Sequence, residues 1–128
     1  MILIDQLKKI HIDGELDPVD TTIWHAKAAR KDYQVGLNLT GIAADDPDMQ
    51  FIENYSCKSE RNYTQYCNPE VEKRIFAQSK MVDQEARKKA VWEIERMLVD
   101  DVARPIIQYD PGATCWHPHV KGIVLPRN

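Results

Sequence analysis

Two helix-start signals in the second half of the chain constrain its fold most. Asn68-Pro69-Glu70-Val71-Glu72 sets an asparagine before a proline and two carboxylates. The asparagine can accept from free first-turn amides, the proline has no amide to leave unpaired, and the acids favour the dipole's positive end. This helix is expected to reach about Lys80, with Val71, Ile75 and Phe76 inward. Asp83 opens a longer helix, on which Ala86, Ala90, Val91, Ile94, Met97 and Leu98 form a stripe at helical spacing. Met97 and Trp92 are expected in its core.

Upstream, apolar residues at 2, 3, 4, 7 and 10 predict a helix over Ile2–Ile10 with Lys8 and Lys9 at its cationic end. Ile12–Val19 alternates loosely and reads as a short strand near an edge. Asp20 caps a helix over Thr21–Arg30, with Ile23, Trp24 and Ala28 on its buried side. Tyr33–Leu39 reads as a strand covered on both faces. The order helix, strand, helix, strand implies a parallel pair joined by a right-handed crossover. Past the loop Thr40–Asp48, a short helix over Met49–Tyr55 is expected to begin at Asp48. Arg104–Tyr109 and Ala113–His119 read as strands about the turn Asp110-Pro111-Gly112. The expected fold class is α/β, a parallel-dominated sheet flanked by helices, and a chain of 128 residues is expected to be one domain.

Charge and cysteines exclude several functions. A net charge of −3 supplies no basic field for a phosphate backbone, and Arg87-Lys88-Lys89 alternate with glutamates on a helical pattern. No nucleic-acid partner is expected. No apolar run approaches the ~18 residues that span a bilayer, and Met1-Ile2-Leu3-Ile4 is too short for a signal-peptide core. Cys57, Cys67 and Cys115 contain no C-x-x-C pair for zinc. Cys57 and Cys67 bracket a polar loop that a disulfide could close, a pairing that spacing alone leaves open.

The loop Thr40–Asp48 carries Asp45, Asp46 and Asp48 at the end of the expected strand, where ligands of α/β proteins sit. It lacks the glycine and distal glutamate of a calcium-binding EF-hand loop, and no histidine is near in sequence to serve with these acids in catalysis. Cys115, His117 and His119 alternate, so on a strand they would face one way, a spacing that can bind a metal. Pro118 interrupts that run, and no metal or other cofactor is assigned. No nucleophile elbow, zinc-protease or phosphate-loop motif occurs, so no enzyme activity is expected. Asn62, Tyr63, Tyr66 and Tyr55 flank the cysteine-bracketed loop and are candidates for a binding surface.

Taken in order, certain stretches resemble a known family. They are Leu7 to Leu16, Asp32-Tyr33-Gln34-Val35, Asp46-Pro47-Asp48, Asn62-Tyr63-Thr64-Gln65-Tyr66-Cys67-Asn68-Pro69-Glu70-Val71, and Leu98 to Ile107. Their succession resembles the C-terminal part of the family 5 extracellular solute-binding proteins, which include dipeptide-, oligopeptide- and nickel-binding members. The resemblance implies one lobe of a type II periplasmic-binding-protein fold, so residues 1–128 would be a fragment lacking the other lobe and the signal peptide. It implies a periplasmic parent that closes on a small solute and delivers it to an ATP-driven (ABC) permease, touching the membrane complex only peripherally. It also implies a Cys57–Cys67 disulfide, as some relatives carry one there. Thr40, Gly41, Ala43, Asp45, Asp46, Asn62 and Tyr63 would contribute to ligand binding.

In peptide-binding relatives an aspartate lies three residues before the acid of the Asp/Glu-Pro pair, with a tryptophan three residues before it. Ala43 and Thr40 occupy those places here. A peptide ammonium would lack its partner, which leaves an oligosaccharide or an opine-like compound as open as a peptide. Two other readings remain: a metal-dependent enzyme using Asp45 and Asp46 with Cys115, His117 and His119, and a stand-alone interaction domain. A fragment of a larger fold would itself expose apolar surface and could dimerise through it.

Overall fold

The computed structural model describes residues 2–41, 46–107 and 115–124. Among these the protein is all-helical, with five helices and no strand. The chain forms two compact units, residues 1–36 and 37–128.

The first unit carries α1 (Ile2–Lys8) and α2 (Thr21–Ala29). Asp20 caps α2, its carboxylate accepting from the Thr22 amide at 2.8 Å and the Thr22 hydroxyl at 2.6 Å. Of this unit's described residues, only Ala28 is buried; Ile23 is exposed, contrary to expectation.

The second unit is built on α3 (Pro47–Tyr55), α4 (Pro69–Gln78) and α5 (Gln84–Asp100). Asn68 caps α4 by accepting from the Glu70 and Val71 amides, and Asp83 caps α5 by accepting from Ala86. The core lies between α4 and α5, where Val71, Ile75, Ile94 and Leu98 meet Phe51 of α3 and Ala103. Each large apolar side chain buried there contributes about 1.5–3 kcal/mol by leaving water. Trp92 was expected in this core but is 52% exposed. Two positions before Ile94, it points about 200° around the helix from the buried seam, and Lys88 Nζ lies 5.1 Å from its ring centroid. Phe76, one step round from Ile75, is likewise exposed.

The α/β expectation, with its parallel sheet and crossover, is overturned. Residues 12–19 form no strand; Pro18 offers no amide, and Asp17 takes the Lys27 ammonium at 2.6 Å. Residues 33–39 bend at Gln34–Val35, and Val35 and Leu39 are each 86% exposed. Residues 104–107 are also without strand, with Ile106 and Ile107 exposed. Apolar alternation makes a strand only where another backbone pairs with it, and none does so among the described residues. Residues 108–114, including the expected turn and the start of the returning strand, lie outside the described residues. His117 to Val120 forms a turn, the Val120 amide donating to the His117 carbonyl at 3.0 Å.

Helix α5 ends with Val102 in the left-handed region (φ 50°), the Ala103 amide returning to the Leu98 carbonyl at 3.0 Å. That wrap buries Ala103 but places a β-branched residue where glycine is favoured. Val102→Gly is expected to raise unfolding free energy by up to about 1 kcal/mol in urea titrations, because Val102 is largely exposed and loses little packing. Ile75→Ala is expected to cost about 3–4 kcal/mol in the same assay.

Candidate functional site

The loop Thr40–Asp48 is held at its two described ends by arginines distant in sequence. Asp46 begins α3: its carboxylate accepts from the Asp48 amide at 2.9 Å, and Pro47 fills the first helical position. The cap expected of Asp48 falls to Asp46, whose pairing with Pro47 has the same form as Asn68-Pro69. Arg87 in α5 grips Asp46 with both terminal nitrogens, at 3.0 and 2.7 Å, while its Nε donates to Gln78 Oε1 at 2.9 Å. Asp48 accepts from the side chains of Gln78 and Ser79 and lies 3.4 Å from Arg87 Nη2. One polar node thus joins the start of α3, the end of α4 and the first turns of α5.

At the other end, Thr40 Oγ1 accepts from Arg104 Nη2 at 2.6 Å. Arg104 Nη1 donates to Asn54 Oδ1 at 2.8 Å, and Asn54 is buried and fixed by its own bonds to the Gln50 carbonyl and side chain. A side chain added at Gly41 would meet nothing within 4 Å. Arg104 also lines an open apolar groove of about 440 Å³ with Val99, Val102, Ile106 and Ile107. Ala43 and Asp45 lie outside the described residues.

The disulfide Cys57–Cys67 is formed, with Cα atoms 4.6 Å apart. Closing a loop of this length stabilises by about 2.5–3 kcal/mol in the chain-entropy model. Inside it, the buried Asn62 donates to the Ser56 carbonyl at 3.0 Å and the Tyr66 carbonyl at 2.6 Å. Its side chain therefore frames the loop; Tyr63 is half-buried beside it. Tyr66 stacks edge-on against Tyr55 and donates its hydroxyl to Asp101 at 2.6 Å, and Asn68 donates to the same carboxylate oxygen at 2.9 Å. Burial, and then the bond to Asp101, push the Tyr66 hydroxyl well above its ordinary range. The same bonds, from Tyr66 first and Asn68 second, hold Asp101 below its own.

Cys115 is exposed, and the His117 and His119 rings stack with centroids 5.5 Å apart. Among the described residues, no three His, Cys, Asp or Glu side chains converge as a metal site. No helix among them is long and apolar enough to cross a membrane. No protein-family model matches the chain, and no similar curated protein or solved structure is found.

Arg87 hydrogen bonding, followed by the Asp48 amide, depresses the Asp46 pKa below its ordinary 3.8. Asp46 therefore stabilises the fold above its unfolded value and loses that contribution as pH falls through the lower folded one. Stability followed by denaturant midpoint is expected to drop below about pH 4. Asp46→Asn keeps a capping side chain and should make that drop shallower; an unchanged slope would remove Asp46 from the acid response.

Proposed function

We propose that this chain supplies one wall of the ligand cleft in the solute-binding component of an ABC import system. The observation that carries this reading is the tethering of the loop's two described ends, Thr40 on Arg104 and Asp46 on Arg87, with open space beside Gly41. A binding wall needs its loop fixed before the solute arrives, since ordering it afterwards subtracts from affinity. The bridged loop at Cys57–Cys67 serves the same end and suits an oxidising compartment, in keeping with a periplasmic parent protein.

Its role is to bind and release without catalysis. The succession of motifs resembling family 5 solute-binding proteins supports that reading, as do exposed apolar segments that the remainder of a larger protein would cover. Thr40 and Ala43, at positions where peptide binders carry tryptophan and aspartate, favour a solute that presents no ammonium group there. The solute would be passed to a membrane permease.

The reading frame around these 128 codons tests the proposal. An upstream export segment and several hundred further codons in frame are expected. A frame closed at both ends would overturn the importer reading and favour a free-standing interaction domain.

A further inference from the structure

Two arginines are half-buried among the described residues, Arg87 and Arg104, and their charges are met differently. Arg87 faces Asp46 and Asp48. Among the described residues, Arg104 bonds only the neutral oxygens of Asn54 and Thr40 and makes no ion pair. Partial burial of a guanidinium costs solvation that neutral acceptors only partly return. Of its five N–H donors, these bonds use two, which leaves three. Asn54, itself buried and bonded to Gln50, holds one arm of the fork in place, so less side-chain freedom remains to be lost on binding. Beside it runs the groove lined by Val99, Val102, Ile106 and Ile107, apolar and about 440 Å³ in volume.

We propose that Arg104 and this groove form a binding site for a carboxylate-bearing solute with an apolar body. The carboxylate takes the remaining guanidinium donors, and the hydrocarbon part lies along Val99 and Ile106. Charge complementarity selects this occupant: a neutral apolar molecule would fill the groove and leave the guanidinium unmatched, while a small inorganic anion would leave the apolar wall wet. The proposal deepens the cleft-wall reading by naming a class of solute, and rests on that reading for its biological meaning.

The test is a titration of the full 128-residue chain with hexanoate, and separately with hexanamide and inorganic phosphate, followed by NMR. Hexanoate is expected to shift the Arg104 Nε–H and the Ile106 and Ile107 amides saturably. Hexanamide and phosphate should each bind at least about tenfold more weakly. Arg104→Gln, checked for helix content by circular dichroism, and Ile106→Asp, an exposed change that adds a competing carboxylate, should each weaken hexanoate by about tenfold or more. Failure of hexanoate to saturate, equal binding of hexanamide, or unchanged affinity in Ile106→Asp would overturn the proposal. A closed reading frame with hexanoate still bound at Arg104 would sink the importer reading and keep this site; an open frame without hexanoate binding would do the reverse.

Discussion

Arg87 is where three helices of the second unit come under one constraint. It rises from the first turns of α5, takes Gln78 at the end of α4, and grips Asp46 at the start of α3. The apolar seam of Val71, Ile75, Ile94 and Leu98 sets how α4 lies on α5, but hydrophobic contact is not directional. The guanidinium fork is, and it fixes where α3 begins and so where the loop before it ends. The disulfide closes the loop after α3 on itself, and the Tyr66–Asp101 bond ties that loop to the end of α5.

Helices were legible because their signals are local. Asp20, Asn68 and Asp83 each act on amides two or three residues ahead, and each caps the helix it announces. Helix α3 begins two residues before the expected Met49 because the cap falls to Asp46 rather than Asp48, and Arg87, 41 residues away, is the partner that Asp46 holds as it caps. Strands were misread because a strand is completed by a partner. Val35, Leu37 and Leu39 alternate correctly and yet stay exposed, with no paired backbone among the described residues. Periodicity alone records which side chains could share a face, not whether anything covers it.

The candidate site divides the same way. Thr40, Gly41 and Asp46 are candidates from the loop's composition and from resemblance, and Thr40 and Asp46 lie on the two arginines. Arg104 was passed over as the entry to a strand. Its partners Asn54 and Thr40 lie 50 and 64 residues away, and no local pattern announces such a contact. Asn62 was a candidate for a binding surface because the cysteine-bracketed loop that carries it would be ordered beforehand. Its amide closes that loop from within, which is what a buried asparagine with two carbonyl acceptors does.

A double-mutant cycle on Asp46 and Arg87, read by chemical denaturation of Asp46→Asn, Arg87→Met and the pair, tests the node most directly. The account predicts a coupling of about 1 kcal/mol, since the pair is bidentate and partly shielded from water. Additive losses, agreeing within about 0.3 kcal/mol, would mean that Arg87 does not hold the loop.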